Sequence, residues 1–246
     1  LTGTGLTGGP RLTAADLRID LLRLGQSRLR QVRLNLEQGA KEWDIQVEAS
    51  ELAGRLRIPH QARAEPLRLE LERLDLKPLL GDDMEPEPAR PAPLKQEPGT
   101  ADPRQAHALD LAVERLLWSD NDLGRFTLRA VPTATGLAID TIRLDGPTHL
   151  DLTGSGAWTR DGAASRTRLD LEASTGDLGE LLRHLDYASP LELAPAKAGA
   201  WLSWPVGPGD LTLATLSGEV EVEIGKGSLL EVEPGVGRVL GGCNLG

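Results

Sequence analysis

Apolar and polar residues alternate with a period of two through most of this 246-residue chain. Successive side chains of a β-strand point to opposite faces, so such runs predict strands with one apolar and one polar face. In the first part of the chain the clearest runs are residues 17–21, 32–36, 43–47, 56–58 and 67–71. Turn-forming residues separate these runs at roughly the 8–12 residue spacing of an antiparallel meander. The pattern predicts a mainly β protein.

The chain divides into three segments by composition. Residues 1–76 read as an antiparallel β-meander, in which the register slips at Glu72 and Arg73 as it would at a β-bulge. Residues 77–106 are rich in proline, which lacks the N–H donor that a sheet needs, and they predict an extended or disordered linker or loop. Residues 107–246 return to alternation and predict a second β segment.

The second β segment also contains helical signals. Residues 176–186 carry leucines at 178, 181, 182 and 185, the spacing of one helix face, and Thr175 or Asp177 is able to cap the start. Two strands are predicted after this helix, at 216–224 and 228–232. Residues 234–240 then resemble the start of a second helix. We therefore expect a β protein with one or two short helices near the C-terminus.

Charge and composition exclude several functions. The formal net charge of −10 disfavours binding to nucleic acid and to anionic lipid surfaces, because both depend on Lys and Arg. No run approaches the ~20 apolar residues of a membrane-spanning helix. The single cysteine, Cys243, cannot form an internal disulfide. The chain begins with Leu1 and looks like a piece of a longer protein.

Few residues suggest chemistry. The glycines at 3, 5 and 8 match a dinucleotide-binding spacing, but no strand precedes them and an alternating strand follows, so a glycine-rich turn is the better interpretation. Ser155 lacks the surroundings of a catalytic serine. The histidines at 60, 107, 149 and 184 have no partner at metal-ligand spacing. A glycosidase site with two carboxylates stays an open possibility. No particular pair stands out among the Asp and Glu residues of the polar strand faces. We expect no enzyme activity, cofactor or metal.

A leucine-rich sheet face needs a cover. The sheet can pack on a second sheet, close into a barrel, or curl around a ligand. The chain offers only one complete helix as cover. If the sheet curls around a ligand, that ligand must be long and apolar.

Ordered blocks along the chain carry a family resemblance. The last third contains DLGELL at 177–182, WPVGP at 204–208, LSGEV at 216–220 and GSLLEVEPGVGRVLG at 227–241. Upstream blocks are ELAGRL at 51–56, LERLDL at 71–76 and LTGSGAW at 152–158. Together they resemble the C-terminal part of YhdP-type proteins, which are members of the AsmA-like family that also includes TamB.

The resemblance implies a fold, a place in the cell and a function. The fold would be a long curved antiparallel β-sheet that forms an open groove of β-taco-like repeats. The protein would be the periplasmic part of an inner-membrane-anchored protein in the Gram-negative cell envelope, anchored through an N-terminal helix absent from this chain. Its partners would be phospholipid, the inner membrane and outer-membrane components, with no nucleic acid. The family has no catalytic residues and no cofactor.

We expect the in-phase apolar residues to line the groove along which phospholipid moves between the inner and outer membranes. These residues are Leu17, Ile19, Leu34, Leu36, Ile45, Val47, Leu56, Ile58, Leu69, Leu71, Leu109, Leu111, Val113, Leu128, Ile139, Leu150, Leu152, Leu169, Leu171, Val220 and Val222. Alternation does not tell which sheet face is concave. The alternative is a structural or envelope-assembly β module whose apolar face is a closed, dry core.

Overall fold

A computed structural model describes the greater part of the chain. The residues described are 13–24, 27–61, 65–80, 101–146, 150–162, 164–185, 187–189, 191–208, 211, 215–226 and 228–229. The glycine motif at 3–8, His149 and the helix predicted at 234–240 lie outside them, as do residues 81–100 of the proline-rich segment.

Strands dominate the described residues. They are β1 (Ala14–Leu24), β2 (Ser27–Gln38), β3 (Glu42–Glu48), β4 (Leu52–Pro59), β5 (Leu67–Asp75), β6 (Leu109–Trp118), β7 (Asn121–Pro132), β8 (Gly136–Asp145), β9 (Asp151–Asp161), β10 (Ala164–Thr175), β11 (Leu191–Glu192), β12 (Ala196–Trp204), β13 (Ser217–Ile224) and β14 (Ser228–Leu229). Two α-helices, α1 (Lys77–Leu80) and α2 (Leu178–His184), and a 3-10 helix at Pro103–Gln105 accompany them. This confirms the predicted mainly β fold with short helices.

Twelve strands form one sheet in the order β1 to β10, then β12 and β13. The terminal strands β1 and β13 do not pair with each other, so the sheet is open. The two predicted β segments therefore contribute to the same sheet. β11 and β14 form a separate two-stranded pair.

One strand pair corrects the expectation of a wholly antiparallel sheet. β5 and β6 pair in parallel, with Leu69 opposite Leu111 and Leu71 opposite Val113. Parallel neighbours need a long connection that returns the chain to the starting edge, and residues 76–108 provide it. The predicted linker at 77–106 is thus the crossover of a parallel pair. Both of its described ends contain helical turns, α1 and Pro103–Gln105, where the composition predicted a linker.

Local signals in the sequence account for two further features. The predicted bulge is confirmed, because Ala53 pairs with Arg73 and Gly54 with Leu71, which leaves Glu72 as the extra residue. α2 is shorter than the predicted 176–186. It begins after Asp177, whose carboxylate accepts the backbone N–H groups of Gly179 and Glu180 at 2.9 and 3.2 Å.

The two α-helices lie at the same edge of the sheet. Strands β5, β6 and β10 run in the same direction, since β5 and β6 are parallel and four antiparallel steps separate β6 from β10. α1 follows β5 and α2 follows β10, so both helices leave the sheet at the edge where these strands end. We call this end of the strands the helix-bearing edge, as distinct from the outer strands β1 and β13. The turn between β3 and β4, at residues 49–51, lies at this edge too.

A buried carboxylate ties that turn to the neighbouring strand. The side chain of Glu51 is 1% exposed, and it accepts the Arg30 backbone N–H at 2.9 Å and the Arg30 Nε–H at 2.7 Å. Burial raises the pKa of Glu51, but these hydrogen bonds and the Arg30 charge outweigh it, so that the pKa lies below its ordinary value of 4.5. A lowered folded-state pKa means that the stabilisation is present above about pH 4.5 and is lost as the pH falls through the folded-state pKa.

We expect Glu51→Gln to lower the free energy of unfolding at pH 7 by about 1–3 kcal/mol, because the neutral amide accepts weaker hydrogen bonds and its NH2 group cannot accept one of the two bonds that Arg30 donates. Urea unfolding at pH 7 and pH 4 measures this, and the variant should lose less stability than the native protein between the two values. Glu48→Gln is the control, since Glu48 is 67% exposed and faces Arg33 at 3.6 Å. A change of more than about 0.5 kcal/mol in the control, or none in Glu51→Gln, would contradict this account.

Candidate functional site

Strand register places apolar residues in continuous rows across one face of the sheet. Paired residues on neighbouring strands point to the same face. The first row, which we call row 1, is Leu17, Leu34, Val47, Gly54, Leu71, Val113, Phe126, Leu144, Leu152, Ala173, Ala198 and Val222. Each residue in this row pairs with the next. Row 1 therefore crosses all twelve strands without a polar side chain.

A second row runs beside it. Row 2 is Ala15, Leu36, Ile45, Leu56, Leu69, Leu111, Leu128, Ile142, Gly154, Leu171, Ala200 and Val220. It also crosses all twelve strands through direct pairs. The two rows and the apolar residues around them form what we call the apolar face.

The structure places every predicted groove residue on this face. Most of them belong to row 1 or row 2. Leu109, Ile139 and Leu169 belong to a third, shorter row that also contains Leu67 and Ala130. The remaining three extend the face along their own strands: Ile19 two residues from Leu17, Ile58 two from Leu56, and Leu150 two from Leu152.

Glycines keep the rows continuous where two strands approach closely. A Cβ added at Gly154 would lie 2.5 Å from Leu171 Cδ2, and one added at Gly54 would lie 2.9 Å from Leu71 Cδ2. The leucine of the next strand thus lies over each glycine. The apolar surface passes over these positions without a gap.

Several residues of the apolar face were missed by sequence reasoning. They are Phe126, Ala130, Ile142, Leu144, Trp158, Ala173, Ala198, Ala200 and Leu202. Ile142 and Leu144 do alternate with Arg143, but the polar pair Asp140 and Thr141 shifts their phase relative to Ile139. A bulge lies there, since Ile139 pairs with Gly156 and Ile142 with Gly154. In the sequence, the signal for this bulge was the pair of consecutive polar residues, Asp140 and Thr141, within an otherwise alternating run.

Exposure of the apolar face changes along the sheet. Row 1 is almost fully buried in the middle, with Leu71 at 4% and Val113 at 0% exposed. At its ends Leu17 is 44% and Val222 is 55% exposed. No second sheet of more than two strands occurs among the described residues, so an opposing sheet does not cause the burial in the middle.

Short helices cover part of the apolar face along the helix-bearing edge. Leu79 of α1 packs on the cluster of Leu29, Val32 and Ala49. Leu181 of α2 and Leu185, which caps its C-terminus, pack on a cluster of Leu71, Val113, Leu116, Leu123, Leu144 and Leu150. At the other edge Pro103 is buried, and Ala106 packs on a cluster that includes Leu137 and Trp158. Row 2 runs between these covered edges, and its leucines at 36, 56, 69, 111, 128 and 171 are half-buried.

The opposite face is polar and carries cross-strand ion pairs. Asp44 lies 3.2 Å from the Arg55 guanidinium, and Arg57 lies 3.5 Å from Glu70. Further cross-strand pairs join Arg33 to Glu48, Arg125 to Glu114 and Arg129 to Asp110, and Arg143 pairs with Asp145 within β8. The hydrogen bond from Arg143 holds the pKa of Asp145 below its ordinary value of 3.8. Such exposed pairs each contribute little to stability, and this face is a solvated surface.

The polar face also contains open depressions. One of them has a volume of about 840 Å³ and crosses β1 to β6, where Asp16, Arg33, Glu48 and Glu70 are among its lining residues. Its charged, solvated lining is unsuited to an apolar ligand. Trp201 is exposed on this side of β12, whereas Trp204 is buried.

The part of the chain that the structure describes contains no cluster of side chains suited to a metal ion. There, no three His, Cys, Asp or Glu side chains lie close enough together to hold a metal ion. His60 follows β4 and His184 ends α2, so these two histidines lie at opposite ends of the strands. Among these same residues no helix is long and apolar enough to span a membrane.

Comparison with known proteins gives one match. No curated protein and no solved structure shows significant similarity to the chain. The family model described as YhdP protein matches residues 5–245. An AsmA-like relationship, suggested above by the sequence blocks, is consistent with this family. Since the match covers nearly the entire sequence, the chain belongs to the YhdP protein family.

Proposed function

We propose that this chain is part of a bridge-like lipid transport protein, which carries phospholipid between the inner and outer membranes with the acyl chains against its apolar face. In this proposal the chain lies in the periplasm as part of an inner-membrane-anchored protein. The head group stays in water at an edge of the sheet. Movement along the face breaks no covalent bond, so the function requires no catalytic residue and no cofactor.

The observation that carries the proposal is the pair of unbroken apolar rows across an open sheet. Neighbouring strands lie about 4.8 Å apart, so twelve strands extend the rows over about 55 Å. This length exceeds what one acyl chain needs. A continuous row allows the acyl chain to move from strand to strand without crossing a polar group.

The energy of lipid transfer explains why continuity matters. Two acyl chains of ~16 carbons expose about 30 methylene groups, at ~0.8 kcal/mol each, so passage through water costs more than about 20 kcal/mol before the chains fold on themselves. Leucine, isoleucine and valine side chains remove most of this cost. The exposed ends of row 1, at Leu17 and Val222, provide apolar surface that the described residues leave uncovered.

Photo-crosslinking at alternate positions tests the proposal. We expect a photo-reactive residue at Leu128, on the apolar face, to form lipid adducts in cells, and one at Arg129, the exposed neighbour on the polar face, to form at least about tenfold fewer. Mass spectrometry of the natively extracted protein identifies the bound lipid. We expect the same difference in the yield of lipid adducts between a photo-reactive residue at Leu56, on the apolar face, and one at Arg57, on the polar face.

The alternative function, a structural or assembly module with a dry core, predicts a different result. Such a module would retain no phospholipid after native extraction. Its adducts at Leu128 would be intramolecular, and Leu128 and Arg129 would not differ in lipid labelling. Either finding would exclude the transport proposal.

A further inference from the structure

The α2 segment packs on a cluster that includes residues from the middle of row 1. Of the row 1 residues from β5 to β9, Leu71, Val113 and Leu144 belong to the cluster on which Leu181 and Leu185 pack, and Phe126 and Leu152 are half-buried against the same cluster. The side chains of Leu71, Val113 and Leu144 are at most 7% exposed there. Burial of row 1 is therefore greatest where α2 lies.

Apolar contact alone holds α2 on the sheet among the described residues. Its N-terminal N–H groups bond to the Asp177 carboxylate and, from Leu178, to the Ala194 carbonyl at 2.8 Å. His184 Nδ1 lies 3.0 Å from the carbonyl oxygen of Glu180, within the same helix. No hydrogen bond or ion pair recorded between described residues joins α2 to β5–β9. Contact of this kind is non-directional, and another apolar group can replace it.

The ends of the α2 segment are tied to each other. The Leu193 backbone N–H donates to the Asp177 carboxylate, and this bond contributes to lowering the pKa of Asp177 against the effect of burial, which raises it. Together with the bond from Leu178 to Ala194, it closes residues 177–194 into a loop that carries the helix. The loop joins the sheet through exposed Gly176 on one side and Pro195 on the other. This segment also contains β11, which pairs with β14 and not with the twelve-stranded sheet, so movement of α2 carries or breaks the β11–β14 pair and leaves the pairing of the large sheet intact.

We propose that α2 is a displaceable plug, which an acyl chain entering the apolar face between β5 and β9 replaces. This inference rests on the proposed function. Two leucine side chains contribute about eight carbon atoms to the cluster, so half of an acyl chain offers the same burial in the same place. Phospholipid passing the middle of the sheet therefore competes with Leu181 and Leu185, whereas row 2 at β4 stays open to it.

Hydrogen–deuterium exchange of the intact chain tests displacement directly. The probe is a suspension of vesicles of phosphatidylethanolamine and phosphatidylglycerol. We expect the vesicles to speed exchange of the α2 amides and to leave the amides of β6–β9 protected, since the helix lifts while the sheet persists. Slower or unchanged exchange in α2, while lipid adducts form at Leu56, would overturn the plug, because the helix would then clamp the lipid or lie away from its path.

Substitution of the two packed leucines gives a second measurement. In Leu181→Ser/Leu185→Ser, lipid adducts at a photo-reactive Phe126 should rise at least about tenfold, while adducts at Leu56, which lies outside the α2 cluster, stay unchanged. Leu182→Ser is the matched control, since Leu182 shares the helix without packing on the cluster, and it should leave both unchanged. Equal yields of lipid adducts at Phe126 in the native protein, in Leu181→Ser/Leu185→Ser and in Leu182→Ser would reject the plug.

The two proposals fail in different ways. An absence of adducts at both Phe126 and Leu56, in every variant, rejects lipid transport and the plug together. The plug alone is rejected if lipid adducts form at Leu56 while the adduct yield at Phe126 is unchanged by the substitutions and exchange of the α2 amides is unchanged by the vesicles.

Discussion

Leu111→Asp is expected to reduce phospholipid bound to the protein at least about tenfold and to leave the strand content unchanged. Leu111 lies in the middle of row 2, paired with Leu69 on one side and Leu128 on the other. A carboxylate at this position interrupts the row. An acyl chain in contact with this carboxylate excludes water from it. The carboxylate then either stays ionised without solvation or becomes protonated because its pKa rises, and either outcome costs several kcal/mol. The leucine is half-buried, so the side chain has access to solvent when no lipid is bound.

Ala112→Asp is the matched control for this prediction. Ala112 is the next residue, lies on the polar face between Glu70 and Thr127, and lines the depression on that face. We expect it to retain both lipid and fold. Lipid mass spectrometry and far-UV circular dichroism measure the two quantities. If Leu111→Asp unfolds the protein, or if both variants lose lipid equally, the apolar face is a dry core and the transport proposal is wrong.

Gly124→Ala is expected to lower the free energy of unfolding by more than about 3 kcal/mol, a large part of the stability of an ordinary domain. Gly124 has φ of +110°, a conformation that residues with a side chain rarely adopt. A Cβ there would overlap the carbonyl oxygen of Asp145 and lie 2.5 Å from Gly146 Cα, both on the neighbouring strand segment. Backbone atoms cannot move aside without breaking the pairing of β7 with β8.

Gly199→Ala separates this effect from the general cost of replacing glycine in a strand. A Cβ at Gly199 meets no atom within 4 Å, and the residue lies in the polar-face depressions of β12. We expect the free energy of unfolding of Gly199→Ala to stay the same as in the native protein or to rise slightly, because alanine reduces the conformational freedom of the unfolded chain. Urea denaturation compares the two variants. Similar losses in both would show that the contact with Asp145 does not determine the effect.

Much of the candidate site follows from the alternation of residues in the sequence. Leu69, Leu111 and Leu171 were placed on one face because each lies in the apolar phase of an alternating run, and the strand register confirms that they share row 2. Period-two alternation is a local property of an extended chain, since side chains of neighbouring residues point in opposite directions. The bulge at Glu72 was also visible locally, as two polar residues in succession.

Other features depended on contacts distant in sequence. Alternation is the same in parallel and antiparallel strands, so the sequence did not reveal that β5 pairs in parallel with β6 across residues 76–108. Ala173, Ala198 and Ala200 carry too little apolar area to stand out, yet register places them in rows 1 and 2. The periodicity of α2 predicted a helix, but not the part of the sheet on which it packs.

The amino-acid sequence by itself determined which residues share a face within each regularly alternating strand, because that choice follows from backbone geometry within the strand. Only the tertiary structure decided which strands are neighbours, that the apolar rows are unbroken across all twelve, and that Leu181 and Leu185 lie over their middle. Those outcomes depend on pairing and packing between segments far apart in the chain, where the free energy of burial is summed over the whole sheet.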